Sequence, residues 1–349
     1  VHPNDHERAG PFEARIRFEA RSAEGNLMTG GVHDVQVPAG AQAQAIADLW
    51  HVLLPVCSVV FVAVVVALIL ALRRAPRITE NAAPDVSSLW QSEPKIARVV
   101  WIAIGVSTFL LVVLLAASVF TDRALAQLPL ADALHIELTG YQWWWEARYD
   151  DPDPSRIFTT ANELHVPVGR PVIVTLVGAD VIHSFWVPSL HGKKDLLPGR
   201  RQTISFRADR AGVYRGTCAE YCGYQHAHMV LYVVADSPND YAYWAARQRA
   251  PAAAPASDEA KRGQDVFLRR SCAMCHAIEG TSAQGRNAPN LTHVASRMTL
   301  GAGALDNTPS NRAAWILDPQ HFKPGANMPP QNLPPDEVVA LNAYLGTLQ

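Results

Sequence analysis

The sequence predicts a multidomain membrane protein, in which a two-helix transmembrane hairpin is followed by a β-rich domain and a small α-helical domain. Three observations predict it: two long uncharged apolar runs, a series of short apolar stretches between Gly, Pro and Asp turns, and a helical pattern after an Ala- and Pro-rich segment. With 349 residues, the chain is long enough for each part to bury its own core. Its net charge of −2 gives no indication of a nucleic-acid partner.

The transmembrane hairpin is predicted over residues 46–120. Its apolar runs, residues 50–72 and 99–120, contain no Lys, Arg, Asp or Glu, and each is long enough to span a bilayer core of about 30 Å. The connection between them is rich in Arg and Lys, whereas residues 22–49 contain neither. The positive-inside bias therefore places the connection in the cytoplasm and everything after the second run on the outer face. Residues 1–45 hold no apolar run suited to a signal peptide and are expected to be loose or only locally structured.

Residues 121–236 are predicted to form the β-rich domain, called the β domain below, because short apolar stretches between turns are typical of an antiparallel sandwich or barrel. Residues 237–257 are predicted to be a linker, since their Ala- and Pro-rich part has almost no side chain to bury. Residues 258–349 form the predicted helical domain, with helices expected at residues 258–270 and 335–348.

A segment rich in metal-binding side chains lies near the end of the β domain. This ligand loop, residues 218–229, supplies two thiols, two imidazoles and a thioether, from Cys218, Cys222, His226, His228 and Met229. Soft sulfur ligands together with imidazoles select copper or zinc over hard cations. Three other interpretations of the two cysteines stay open: a disulfide on an oxidising outer face, a tetrahedral zinc site with His183 and His226, and a thiol redox pair. Met229 has no role in any of these three.

The spacing C-x-E-x-C-x3-H-x2-M, with H-S-x-x-x-P upstream, resembles the copper A domain of cytochrome c oxidase subunit II, a cupredoxin-like β-barrel. The resemblance covers residues 121–236 and implies two copper ions with bridging thiolates, one imidazole for each ion and two weak ligands. The implied bridging thiolates are Cys218 and Cys222, and the implied imidazole ligands are His183 and His226. The implied weak ligands are Met229 and the backbone carbonyl of Glu220. The sequence leaves open an exchange with the spare imidazoles of His191 and His228.

Three adjacent tryptophans lie near the first predicted strand of the β domain. Alternation along a strand puts Trp143 and Trp145 on one face and Trp144 on the other, so at least one ring should be exposed or lie at an interface. Residues 140–146 resemble the aromatic region through which electrons enter subunit II, and Trp143 matches the tryptophan that receives them. Ordinary packing, or a place in the membrane interfacial belt, is the alternative.

Other resemblances concern contacts with subunit I. The side chain of Glu220 is implied to hold a magnesium ion shared with that subunit. A segment implied to face the haem propionates of subunit I contributes Asp195, Arg200 and Arg201. Glu93 lies roughly where related subunits carry an acid at a proton-uptake mouth, but an ordinary carboxylate at a helix start explains it better. Cys57, in the first apolar run, is interpreted as a small apolar residue.

The helical domain contains the C-x-x-C-H signal for covalent haem c. The thiols of Cys272 and Cys275 add across the haem vinyl groups, and His276 becomes the proximal iron ligand. Upstream, Gly263 is small enough for a close approach between helices, and Phe267 is expected to cover the haem.

Residues 258–349 resemble a class I cytochrome c domain, an all-α fold, and residues 315–330 resemble its loop that supplies the axial methionine. Met328 is the implied distal ligand, since a thioether opposite His raises the reduction potential. The other two methionines considered for this role are Met298 and Met274. The Trp315 indole is implied to donate to a haem propionate, with packing at the haem edge as the alternative.

Together these resemblances imply subunit II of a haem-copper terminal oxidase. It would pass electrons from a donor, cytochrome c or a quinol-cytochrome c reductase, through haem c and copper A to the haems of subunit I. There oxygen would be reduced to water with proton translocation. Subunits I and III and the lipid bilayer are the implied partners, in a bacterial inner membrane crossed twice, with both metal domains on the periplasmic face. The alternatives are the copper subunit of a nitric oxide reductase and a tethered periplasmic electron carrier.

Overall fold

The computed structural model describes residues 32–75 and 94–349. Most of the N-terminal arm and the connection between the apolar runs, including Glu93, lie outside the described residues. The chain forms two compact units, of which one is Gln44–Leu128 and the other contains the remaining described residues.

The first unit contains two long helices, Ala41–Arg74 (α1) and Pro94–Ala126 (α2), which are long and apolar enough to cross a membrane. With 34 and 33 residues, each is about 50 Å long, so both extend beyond the predicted apolar runs and beyond a bilayer core of about 30 Å. Their Val, Leu, Ile and Phe side chains are exposed in the isolated chain. Such surfaces need a lipid environment, as the sequence predicted.

The β domain is built from ten strands in two five-stranded sheets. The strands are Leu134–Tyr141 (β1), Trp144–Asp150 (β2), Phe158–Ala161 (β3), Glu163–Pro167 (β4), Val172–Gly178 (β5), His183–Trp186 (β6), Lys194–Leu196 (β7), Gln202–Phe206 (β8), Gly212–Cys218 (β9) and Val230–Asp236 (β10). The sheet orders are β3-β2-β1-β5-β8 and β4-β10-β9-β6-β7. The pairs β1–β5 and β4–β10 are parallel, so the sheets are mixed rather than wholly antiparallel.

One apolar core contains side chains from both sheets. Strand β5 shows how the sequence produces it: buried and partly buried residues alternate, and Val172, Val174 and Leu176 are fully buried. The described end of the N-terminal arm also packs on this domain. The Val32 amide donates to the Val213 carbonyl at 2.9 Å, and the Ala39 amide donates to the Ser189 carbonyl at 2.7 Å. This part of the arm is therefore ordered rather than loose.

The first half of the predicted linker is a helix, Pro238–Gln248 (α3). The Ser237 side chain accepts from the Asp240 amide at its start, and Tyr241 and Ala245 are buried in the β-domain core. Aromatic side chains at helical spacing provide the buried face, which the Ala- and Pro-rich residues after position 249 lack. The Ala- and Pro-rich composition expected of a flexible linker is therefore confined to the second half of residues 237–257.

The helical domain has the two predicted helices, Asp258–Arg269 (α4) and Pro335–Thr347 (α8). Between them lie Cys272–Cys275 (α5), the short strands Thr299–Leu300 (β11) and Leu305–Asp306 (β12), Pro309–Leu317 (α6) and Pro319–Phe322 (α7). Helix α4 packs on α8 at Gly263, where an added Cβ would lie 1.9 Å from the Ala340 carbonyl oxygen. The expected close approach at Gly263 is confirmed, and Phe267 is buried in the same core.

Candidate metal centre and haem site

The ligand loop closes because β9 pairs with β10, and the Cys218 amide donates to the Met229 carbonyl at 3.0 Å. The Sγ atoms of Cys218 and Cys222 are 3.7 Å apart, and both residues are buried. His183, at the start of β6, places Nδ1 3.9 Å from the Cys218 sulfur, and His226 places Nδ1 3.6 Å from the Cys222 sulfur. Each sulfur therefore has its own imidazole.

Two weaker donors complete the same cluster. The Glu220 carbonyl oxygen lies 3.2 Å from the Cys218 sulfur, and the Met229 Sδ lies 3.8 Å from the Cys222 sulfur. The structure thus brings together all six donors that the sequence implied. Two thiols between two imidazoles, with a thioether and a carbonyl at the margins, are a soft donor set that fits two copper ions.

The geometry bears on the other interpretations of the cysteines. A sulfur separation of 3.7 Å is far beyond a disulfide bond of about 2.05 Å. The donor atoms of His183, Cys218 and Cys222 lie within 4.8 Å of one another, but the His226 donor atom does not belong to that group. One tetrahedral zinc ion would need all four donors together. The spare imidazoles of His191 and His228 also lie outside that group.

Hydrogen bonding between the two thiols separates their titrations. The contact with Cys222, followed by that with His183, lowers the pKa of Cys218, and the contact between the two thiols raises the pKa of Cys222. Burial lowers the pKa of His183, but hydrogen bonds with Cys218 and Asp180 outweigh burial and raise it overall. The lowered pKa favours the thiolate form of Cys218, which is the form that binds metals.

Asp180 orients the upstream histidine, and the sequence reasoning missed it. Its Oδ1 lies 2.8 Å from His183 Nε2 and accepts from the Val181 amide at 2.7 Å, while its Oδ2 accepts from the Gln142 amide at 2.7 Å. A carboxylate on the far ring nitrogen fixes the ring so that Nδ1 faces the thiols. In the sequence, the only indication of this orienting role is that a carboxylate lies three residues before the histidine.

The predicted alternation of the tryptophans is wrong in one respect. Strand β1 ends at Tyr141 and β2 begins at Trp144, so Trp143 lies in the turn and shares no strand face with Trp145. Trp145 is fully buried, and Trp144 stacks on Tyr141 with ring centroids 4.6 Å apart. The turn interrupts the period of two on which the prediction depended.

Trp143 lies between the ligand loop and the helical domain, which confirms that one ring lies at an interface. Its Nε1 donates to the Cys222 carbonyl at 3.0 Å, beside Gln142 Nε2, which donates to the same oxygen at 2.7 Å. The other edge of the ring faces Gly325, where an added Cβ would lie 3.6 Å from the indole. Gly325 belongs to residues 323–334, the segment between α7 and α8, called the methionine loop below.

The haem-attachment motif has the features that a haem ligand requires. His276 Nδ1 lies 2.7 Å from the Pro289 carbonyl and donates to it, which leaves Nε2 unprotonated and able to bind iron. Burial lowers the pKa of His276, favouring this neutral form. Both cysteines of the motif, Cys272 and Cys275, are free. The donor chemistry therefore fits a covalent haem c.

A buried cation near this histidine was also missed. Burial lowers the pKa of Arg297 to about 10, and its Nε has no hydrogen-bond partner in the part of the chain that the structure describes. Its positive charge also helps to lower the pKa of His276. A buried guanidinium with a free donor suits a carboxylate-bearing ligand such as haem. The sequence from Asn290 to Met298 contains no motif that predicts a buried arginine near His276.

The structure separates the three methionines considered as distal ligands. Met298 packs on an apolar cluster of the β domain, and Met274 is 74% exposed on the attachment helix α5. Met328 lies in the methionine loop, where its carbonyl accepts from Gln320 Nε2 at 2.8 Å. Met328 therefore remains the candidate. Trp315 packs against Gly301, and its predicted role toward a haem propionate stays a prediction.

Residues predicted to face a partner subunit have room to do so. Glu220, Arg200 and Arg201 are exposed, and Asp195 is partly exposed on β7. Arg201 contacts the Glu137 carboxylate. Their roles toward magnesium and haem propionates stay predictions. Cys57 is exposed on α1, away from both sites along the sequence.

Family models match both domains that follow the transmembrane hairpin. The family described as cytochrome c oxidase subunit II, periplasmic domain, matches residues 151–236, and the cytochrome c family matches residues 260–349. The chain is 33% identical over 324 residues to a cytochrome c oxidase subunit 2 from Alkalihalophilus pseudofirmus, covering 89% of this chain and 90% of that one. It is 35% identical over 229 residues to that of Bacillus subtilis, covering 62% and 63%. Among solved structures, the periplasmic domain of subunit II of cytochrome oxidase of Bradyrhizobium japonicum is 33% identical with a TM-score of 0.31, covering 33% of this chain and 93% of that one.

Proposed function

Because the chain belongs to the cytochrome c oxidase subunit 2 family, we propose that it passes electrons from an external donor through haem c and a dinuclear copper centre to the haems of subunit I. The chain carries a cytochrome c domain after its copper domain and is part of a haem-copper oxidase, an oxidoreductase complex. Reduction of oxygen to water, coupled to proton translocation, belongs to the assembled complex in this proposal.

The position of Trp143 is the observation that carries the proposal. Its indole donates to the carbonyl of Cys222, one of the copper-binding thiols, and its opposite edge faces Gly325 in the methionine loop. One half-buried ring therefore contacts both the ligand loop and the loop that carries Met328. This arrangement supports Trp143 as the residue through which electrons reach copper, and haem c as the immediate donor.

The protein contributes a donor set whose side chains are already in place. Cys218 and Cys222, with His183 and His226, would hold two copper ions, which would take up and pass on one electron at a time. Cys218 and Cys222 are buried, and Asp180 fixes His183 through a hydrogen bond with its Nε2. A ligand set that is fixed before the metal binds keeps reorganisation small.

The finer parts of the proposal concern partners and location. Glu220 is an exposed residue of the ligand loop, which supports a magnesium ion shared with subunit I. Exposed Arg200 and Arg201 are suited to contact the haem propionates of that subunit. We place α1 and α2 in a bacterial inner membrane, with both metal domains on the periplasmic face. Subunit III and a donor, cytochrome c or a quinol-cytochrome c reductase, complete the assembly.

Metal analysis with optical and EPR spectra of the full chain tests the proposal. We expect two coppers for each iron, a haem c absorption band and a mixed-valence two-copper signal. Cys218→Ser should abolish the copper signal and keep the haem band, whereas the matched control Cys57→Ser should keep both. Iron without copper in the wild-type chain would reduce the protein to a tethered cytochrome and refute the proposal.

The relatives also bear on the alternatives. Both curated relatives described above are oxidase subunits, which favours an oxidase over the copper subunit of a nitric oxide reductase or a lone carrier. Oxygen consumption by the purified complex, without nitric oxide consumption, is the expected result.

A further inference from the structure

Lys323 joins the helical domain to the β domain. It begins the methionine loop, and only 3% of its surface is exposed. Its Nζ donates to three backbone carbonyl oxygens, each at 2.7 Å: those of Trp143, His228 and Gly301. The first lies in the β1–β2 turn, the second in the ligand loop and the third in the helical domain. An ammonium group has three N–H donors, so every donor has one acceptor.

No carboxylate among the described residues forms an ion pair with Lys323. Burial of a cation without a counterion is unfavourable, and it lowers the pKa of Lys323 to about 7. For packing alone, an unbranched apolar side chain such as methionine, which is one atom shorter, would be more favourable in this buried position. The three hydrogen bonds, rather than packing, therefore explain why a lysine is buried here. They hold three separate segments around the Nζ atom.

Other contacts between the two domains lie beside Lys323. Gln225 Nε2 donates to the Pro324 carbonyl at 2.8 Å, and the Val230 amide donates to the Ala302 carbonyl at 3.0 Å. These bonds connect the ligand loop and β10 to the helical domain, but neither reaches Trp143. Lys323 alone among these contacts binds the backbone of Trp143 and the ligand loop together. Two residues further on, Gly325 packs against the Trp143 ring.

We infer that Lys323 is a positioning residue that holds the methionine loop against Trp143 and the ligand loop, so that the haem and copper sites keep a fixed separation during electron transfer. The inference rests on the proposed function, because the fixed separation matters only if haem c reduces copper within the same chain. The ammonium acts through Trp143 and the loops and touches neither metal.

The test uses Lys323→Met in the intact oxidase complex. Methionine keeps the unbranched side chain and removes all three donors. An electron is delivered to haem c by flash photoreduction, and the rate of its transfer to copper is recorded. We expect the rate to fall at least about tenfold, which corresponds to about 1.4 kcal/mol in the docking equilibrium. The slower rate should also depend on glycerol viscosity, because the methionine loop must then return to Trp143 before each transfer.

Two further variants separate geometry from charge. Lys261→Met changes an exposed lysine of α4 and should keep the wild-type rate. Lys323→Arg keeps the positive charge, but its planar donor group cannot match three converging carbonyls, so it should stay slow. The copper EPR signal and the absorption band of methionine-bound haem should be unchanged in all three variants.

An unchanged transfer rate in Lys323→Met would overturn the inference. If that variant loses the band of methionine-bound haem, Lys323→Gln, which keeps two donors, is measured instead. Loss of the band in both variants would show that Lys323 acts within the methionine loop itself, which also overturns it. Absence of transfer from haem to copper in the wild-type complex would instead refute the proposed function, so the two failures are distinguishable.

Discussion

The protonated form of His165 should stabilise the β domain, and this contribution should disappear in mild alkali. His165 lies on β4, with Nδ1 2.6 Å from Asp236 Oδ2 and Nε2 3.1 Å from Glu163 Oε1, and it stacks on Trp244 of α3. Burial lowers its pKa, but the two carboxylates outweigh burial and raise it from 6.5 to about 9. Tyr149 shares the site, where its hydroxyl donates to the His165 carbonyl.

The magnitude and sign follow from linkage. A folded-state pKa of about 9 against an unfolded value of 6.5 corresponds to about 3 kcal/mol, at about 1.4 kcal/mol for each pH unit. Because the folded pKa is the higher one, the contribution is fully present below pH 6.5 and is lost as the pH rises through about 9. Between pH 6 and pH 10 the melting temperature should therefore fall by roughly 10 °C on this account alone.

Thermal unfolding of the full chain in detergent, followed by near-ultraviolet circular dichroism, measures this effect. His165→Gln cannot gain the charge, so the stability difference between wild type and this variant should shrink by about 3 kcal/mol from pH 6 to pH 10. His135→Gln, the same change at an exposed position of β1, should follow the wild type at every pH. A constant difference between wild type and His165→Gln would refute the reasoning.

Three other outcomes are expected. Gly263→Ala should destabilise the helical domain by about 1–3 kcal/mol in haem-detected melting, because its Cβ would lie 1.9 Å from a backbone oxygen of α8. The control Gly346→Ala, whose Cβ meets only a flexible side chain at 3.4 Å, should be neutral or stabilising. Equal melting temperatures of the two variants would contradict this prediction. Asp180→Asn should weaken copper binding about 10–100-fold in titrations without changing the haem spectrum, and unchanged affinity would rule out its orienting role. Trp143→Phe keeps a ring but loses the donor to the Cys222 carbonyl, so flash-initiated transfer from haem to copper should slow, and a wild-type rate would place the route elsewhere.

The copper-site donors that the structure brings together were predictable because most of them are local in sequence. Four side chains of the copper site lie within the ligand loop, and only His183 is distant, at the start of β6. The haem motif is likewise five consecutive residues, Cys272 to His276. The resemblance of the ligand-loop spacing to the copper A motif implied the six donors, and the structure brings them together.

The residues that position these sites were not predictable in the same way. Lys323 is 180 positions from Trp143 along the chain, and nothing near it in sequence indicates that its acceptors are backbone carbonyls. Asp180 and Arg297 depend likewise on which segments the sheets and loops bring together. Helix α3 was missed because its aromatic residues directly precede a linker-like composition, and the alternation failed at Trp143 because a turn interrupts the strand.

Helix α3 also determines how far the helical domain can move from its docking position. It binds the first part of the connection to the β domain, so only residues 249–257 remain between α3 and α4, a tether of at most about 30 Å. A short tether keeps a released domain at an effective concentration in the millimolar range. A soluble protein present at micromolar concentration would therefore compete poorly with the attached domain for the surface around Trp143.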